Sequence, residues 1–255
     1  MAKGTEVKLA ERQASVAIVG AGDFIGAAIA RRFAAEGYRV HGGRRQREKL
    51  AGLAEEIGNA GGVFRAHSLD ARHEQEIVAF LDAADADAPL ELCLFNIGAN
   101  VNFPLLDTTE RVFRKVWEMA CYAGFLTGRE AARRMLRHGR GSIFFTGATA
   151  SMRGGKGYAA FASAKAGLRA AAQSMARELA PRNIHVAHLV IDAAVDTQWV
   201  RDRIAAGKGA EAPENLPPDT LMKPESIAEI YWQLHRQPRD AWTHELDLRP
   251  FAESW

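Results

Sequence analysis

Cysteine is scarce: the 255 residues hold two, Cys93 inside the apolar run "LELCLF" and Cys121 inside a long helical pattern. Two separated thiols offer neither a disulfide framework nor a cysteine metal site, and they point to a reducing compartment. Long hydrophobic runs are also missing. Nothing approaches the ~20 apolar residues that span a bilayer, and the opening "MAKGTEVKLAERQ" lacks the apolar core of a secretion signal. A cytoplasmic protein without membrane contact is expected. Charge of one sign is lacking too: Lys plus Arg number 33 against 31 for Asp plus Glu, which leaves no global field to gather nucleic acid. Repeats and low-complexity tracts are absent. At 47% hydrophobic and 25% charged, the composition is that of a globular protein, and the length suits one domain over residues 1–255.

What is present is a rhythm. Short β-type runs, "SVAIVG", "YRVHGG", "GVFRAH", "LELCLFN", "SIFFTG", "HVAHLVI" and "ELDLR", alternate with helical patterns. The runs are continuously apolar, the mark of strands covered on both faces. The expected fold is α/β, a single doubly wound Rossmann-type domain with a seven-stranded, mostly parallel sheet and helices on both faces. A long helix is predicted from about 109 to 137, opened by "DTTE", where Asp107 or Thr108 can cap and Glu110 can answer. Residues 1–13 form an N-terminal extension. The Gly-, Pro- and charge-rich stretch 198–224 breaks the rhythm and is expected to be an irregular loop contacting substrate.

Chemistry enters at "SVAIVGAGDFIGAAIARRF", a strand, a glycine-rich turn and a helix. Gly20 permits the tight turn, Gly22 lets backbone approach a pyrophosphate, and Gly26 lets the helix pack close to the sheet. Asp23, Phe24 and Ile25 share that contact, and the helix N-terminus supplies N–H groups and partial positive charge. After the second strand, "VHGGRRQREK" carries Arg44, Arg45 and Arg47 in place of the acid that would meet a ribose 2′-hydroxyl. Guanidinium forks suit a 2′-phosphate, so NADP(H) is expected rather than NAD(H).

In this order the motifs resemble the short-chain dehydrogenase/reductase family from residue 15 to about 250. The resemblance implies that "VGAGDFIG" is the family's TGxxxGxG turn, with Val19 and Phe24 at the Thr and middle-Gly positions. It implies that Asp70 of "SLDAR" meets the adenine and that Asn96 opens the family's NNAG element, followed here by Ile97, Gly98 and Ala99. "DAAVDT" stands at PGxxxT: Asp192 and Ala193 replace Pro and Gly, Thr197 is kept, and Val195 offers backbone to the carboxamide.

The catalytic positions depart from the family. Cys121 stands at its asparagine, Ala148 at its serine and Phe161 at its tyrosine, which leaves Lys165. In the family, tyrosine moves the proton while lysine lowers the phenol pKa and holds the ribose hydroxyls. Three expectations follow. In the first, Tyr158, seven residues before Lys165 and on the same helical stripe, is a displaced acid, a spacing similar to that of divergent enoyl reductases. In the second, the proton comes from another group such as Thr149, Ser151, Thr146 or Cys121, or from water. In the third, the protein binds NADP(H) without turnover, as a sensor or structural partner. His41, His67, His185 and His188 sit in or beside predicted strands without ligand spacing, so no metal is expected. The family also implies a homodimer or homotetramer through the long helix and the Lys165 helix, and Phe251 and Trp255 in the tail suit burial against another subunit. A small-molecule substrate is expected.

Overall fold

The computed structural model describes residues 12–208 and 213–251. Residues 1–11 of the expected extension, 209–212 of the expected loop and Trp255 lie outside the described residues.

The chain begins with β1 (Ser15–Val19), α1 (Ile25–Ala35) and β2 (Arg39–Arg44). A short 3₁₀ turn then leads into α2 (Ala51–Asn59), followed by β3 (Val63–Ser68), α3 (Glu74–Asp87) and β4 (Leu90–Phe95). The second half runs α4 (Glu110–Trp117), α5 (Ala123–His138), β5 (Gly141–Thr146), α6 (Ala159–Leu179), β6 (Ile184–Ile191), α7 (Gln198–Lys208), α8 (Pro224–His235) and β7 (Glu245–Leu248). All seven expected runs are strands, in the order β3-β2-β1-β4-β5-β6-β7. Every pairing is parallel, in agreement with the expected seven-stranded doubly wound sheet.

The central strands β1, β4, β5 and β6 are largely apolar on both faces because each feeds two cores. In β1, Val16 and Ile18 join the layer under α1, α2 and α8, whereas Ala17 and Val19 join the layer under α3, α5 and α6. Alternate side chains of a strand point to opposite faces, so a two-sided core demands an unbroken apolar run. The strand histidines are held by neighbours. His41 Nδ1 lies 3.0 Å from His67 Nε2 and its Nε2 lies 3.1 Å from Asp87, while His185 Nε2 contacts the Thr243 carbonyl at 2.8 Å.

Three local expectations are corrected. The cap of α4 is Thr109, whose side chain accepts the Val112 N–H at 3.3 Å; Asp107 lies one turn earlier in a 3₁₀ turn, and Thr108 bonds back to the Pro104 carbonyl at 3.0 Å. The long helix is not uniform, because a π-turn over Glu118–Tyr122 joins α4 to α5. The stretch 198–224 is not irregular throughout: α7 occupies its first eleven residues, since Gln198 to Ala206 contains no breaker until Gly207.

Candidate active site

A parallel sheet gathers its strand ends at one edge, and the loops beyond β1, β4, β5 and β6 meet there around a cleft of about 330 Å³. Its floor is the glycine turn. Gly20 has φ +92°, and a Cβ there would lie 2.9 Å from the Asn96 carbonyl group. A Cβ at Gly26 would lie 2.7 Å from the Gly20 oxygen, so both positions exclude side chains for backbone reasons. Gly22 differs: a methyl group added there would meet nothing within 4 Å, which leaves room for a ligand. Among the described residues no side chain caps α1; the Ala27 N–H bonds the Gly22 carbonyl at 2.9 Å, and Asp23, Phe24, Ile25 and Gly26 line the cleft at this helix terminus.

Asn96 closes the floor from β4, its backbone N–H on the Val19 carbonyl at 2.8 Å and its side chain donating to the Gly20 carbonyl at 3.1 Å. Gly98 lines the cleft beside it. Ala99 follows with φ +143°, a region essentially reserved for glycine. Ala99→Gly is expected to stabilise the fold by about 1 kcal/mol, strain relief outweighing the added chain entropy. A higher urea midpoint at unchanged slope is the measurement.

A second, narrower cavity of about 130 Å³ continues from Gly20 across the ends of β1, β2 and β3, closed by Ile97, Met119 and Ala123. Arg44, Arg45 and Asp70 line it, so the residues expected around an adenosine end do come together. Their pairings were not legible in the chain. Arg44 donates to Asp23 at 2.6 Å, whereas Arg45 is exposed. Arg72, which no sequence motif singled out, donates through Nε to Asp70 at 2.9 Å and holds that carboxyl down to about 2. Its position two residues after the aspartate in "DAR" was the available signal.

The far wall carries Phe161 and Lys165 of α6, Ala148 after β5, and Val195 and Thr197 after β6. Val195 pairs with Met222 in an isolated bridge, which pins the segment before α8 beside the cleft. Lys165 is 2% exposed. Its Nζ donates to the carbonyls of Thr146 at 2.8 Å and Ile97 at 3.1 Å, tying the ends of β5 and β4 to α6. Burial without a carboxylate partner pushes the ammonium down to about 8. Cys121, on the π-turn, packs against the same helix, since a Cβ on Gly167 would meet its Sγ at 2.9 Å.

Two expected catalytic groups stand off the cleft wall. Tyr158 precedes α6, half-buried, in an apolar cluster with Val101, Val112 and Phe161; its ring centroid is 6.4 Å from that of Phe161, and it does not line the cleft. Tyr158 is the N-cap of the helix, its carbonyl accepting the Ala162 N–H at 2.7 Å and its ring packed beside Phe161. Thr149 donates its hydroxyl to Asp192, a 4%-exposed carboxylate that also accepts from Arg249 at 3.1 Å. Ser151 is buried as well, its Oγ 3.3 Å from His188 Nε2. Among the described residues, no group of three or more His, Cys, Asp or Glu could hold a metal ion, and no helix is long and apolar enough to cross a membrane.

The sheet order, the two helical layers and the glycine turn at the end of β1 define a Rossmann-like α/β protein. Within that class the chain belongs to the short-chain dehydrogenase family, whose model matches residues 14–206. A crystal structure of a short-chain dehydrogenase from Rhodopseudomonas palustris is similar at 60% identity, covering 94% of this chain and 100% of that one with a TM-score of 0.81. The 3-oxoacyl-(acyl-carrier-protein) reductase MabA of Mycobacterium avium is 31% identical over 199 residues, 76% of this chain and 72% of its own. A metagenomic short-chain oxidoreductase crystallised with NADP is 25% identical, covering 94% and 98% of the two chains with a TM-score of 0.78.

Proposed function

We propose that this protein is an NADP(H)-dependent oxidoreductase that reduces an activated C=O or C=C bond of a small apolar substrate without a tyrosine acid. One observation carries the reading: the glycine turn, with open space above Gly22, and the buried Lys165 line one cleft. A nicotinamide nucleotide fits this cleft, its pyrophosphate over Gly20, Gly22 and Gly26 at the uncapped α1 terminus and its adenosine end between Asp70 and the arginines. Val195 and Thr197 would flank the nicotinamide, and Asn96 would hold the floor. When bound, the nucleotide supplies hydride. The protein's own part is to fix the acceptor beside it and exclude water, which the apolar side chains of Phe24, Ile25, Phe161 and Val195 favour.

The preference for a 2′-phosphate rests on Arg45, because Arg44 already serves Asp23. Arg45→Ala is expected to weaken NADPH binding by roughly tenfold, the value of one charge-assisted contact at a partly exposed site, and to leave NADH unchanged. Fluorescence titration of both nucleotides reads the difference, and equal losses would reject the assignment. Activity is tested by NADPH oxidation against ethyl acetoacetate, an acetoacetyl thioester, cyclohexenone and a crotonyl thioester. Binding with no turnover across that panel would select the cofactor-binding reading without catalysis, which Cys121, Ala148 and Phe161 at the family's catalytic positions favour.

A homodimer or homotetramer through α4, α5 and α6 is part of the proposal. Trp117, Tyr122 and Phe125 stack in sequence along that surface with centroids 6.1 and 6.4 Å apart, and Phe113 and Trp117 are 41% and 40% exposed. Phe251 is exposed in the tail.

A further inference from the structure

We propose that the loop after β5 holds a carboxylate of the substrate, with the guanidinium of Arg153 as the receiving group and Lys156 as a second cation beside it. The proposal rests on the oxidoreductase reading above and adds the substrate class: an oxo acid, apolar around the reacting bond and anionic at its far end.

The loop arches over the end of β5. On one side Thr149 donates its hydroxyl to Asp192 at the end of β6, and the Arg153 N–H bonds the Thr149 carbonyl at 3.1 Å. On the other side the Lys156 carbonyl accepts from the Asn102 side chain at 3.0 Å, and the Gly157 carbonyl accepts the Phe103 N–H at 2.9 Å, which ties the loop to the one after β4. The cations therefore sit over β4, β5 and β6, the half of the sheet opposite the adenosine end at β2 and β3. Ala148 and Ala193 line the cleft, and each adjoins one of the two anchors, Thr149 and Asp192.

Charge on this side is one-signed. Between Asn96 and Leu106 and between Gly147 and Tyr158 the chain has no acid, and Arg153 and Lys156 are its only charges there. The acids after β6 are already taken: Asp196 accepts from Arg201 at 2.7 and 2.9 Å, and Asp192 accepts from Thr149 and, at 3.1 Å, from Arg249.

Arg153 is oriented by Asp192 rather than consumed by it. Its side chain is 49% exposed, and its one side-chain contact among the described residues runs from Nη1 to Asp192 at 3.4 Å. Arg201 commits its Nε and Nη2 edge to Asp196. In Arg153 the same edge has no acceptor among the described residues, and that edge grips a carboxylate through two parallel N–H bonds. Lys156 is exposed and likewise has no carboxylate partner among the described residues. A Cβ on Gly154, between the two cations, would meet nothing within 4 Å, so there is room for a ligand. Asp192, a 4%-exposed acid at the family's proline position, aims the guanidinium.

Two measurements test this. In the NADP⁺-loaded protein carrying ¹⁵N-arginine, one Nε–H signal, assigned by its loss in Arg153→Gln, is expected to shift saturably with butyrate and to stay in place with methyl butyrate. In initial rates with NADPH, acetoacetate should show a kcat/KM roughly tenfold above that of ethyl acetoacetate, carried by KM, the value of one bidentate charge-assisted contact at a partly exposed site. That acid-to-ester ratio should collapse in Arg153→Gln, fall by a smaller factor in Lys156→Gln, and fall as salt rises from about 50 to about 500 mM. Both side chains are exposed, so both variants should keep the wild-type Tm. Equal losses for acid and ester in Arg153→Gln overturn the proposal, as does an Nε–H signal that ignores butyrate. Reduction of the ester with no preference for the acid overturns the subsite and leaves the oxidoreductase reading standing. A signal that follows butyrate in a protein that reduces neither compound supports the subsite and overturns that reading.

Discussion

Gly26→Val is expected to abolish nucleotide binding and to destabilise the fold together. A Cβ at this position would lie 2.7 Å from the Gly20 oxygen and 2.8 Å from the Ala21 Cα. Both are backbone atoms, so no side chain can turn aside; α1 must move off the turn. Overpacking of this kind costs about 3 kcal/mol, which lowers Tm by roughly 6–12 °C for a domain of this size. Displacing the α1 terminus removes the phosphate seat, and NADPH affinity should fall at least a hundredfold, about 2.8 kcal/mol. Gly22→Ala is the informative contrast. Nothing lies within 4 Å of its added methyl, so Tm should hold while affinity falls, because the methyl would fill space meant for ligand. Calorimetric Tm and fluorescence titration on both variants separate packing from binding; a stable Gly22→Ala with unaltered affinity would remove the pyrophosphate from this turn.

Phe161→Tyr should raise the rate of NADPH-dependent ketone reduction by at least tenfold at pH 7. The ring already lines the cleft one turn before Lys165, and Nζ is 6.0 Å from its centroid. A phenol there would gain a cationic neighbour that favours its ionised form. Positioned acid catalysis contributes roughly 10²–10⁴-fold in general, and the lower end of that range is expected for a phenol introduced into a cleft that did not evolve around it. Initial rates from pH 6 to 10 provide the check. An unchanged rate with NADPH bound would mean that substrate does not reach position 161.

The amine also links stability to pH. Its folded pKa is near 8, below the ordinary lysine value of 10.5, so above pH 8 the unfolded chain holds more protons at this position than the folded one. Stability of the ligand-free protein should therefore rise from this group between those values and level off beyond them.

The chain by itself determined the architecture. An apolar run such as "VAIV" is satisfied best by burial on both faces, and several largely apolar runs alternating with helices leave little but a covered parallel sheet. The turn from Gly20 to Gly26 and the lysine at 165 were legible for a similar reason, since each is a short-range pattern fixed by spacing in one element. Tertiary structure alone decided which polar groups reach the cleft. Tyr158 packs its ring beside Phe161, Thr149 turns to Asp192 from 43 residues away, and Asp70 takes Arg72 as its partner. Periodicity records which face an element buries. It does not record which distant side chain completes a hydrogen bond there, because that depends on how separate strands and loops converge at the end of the sheet.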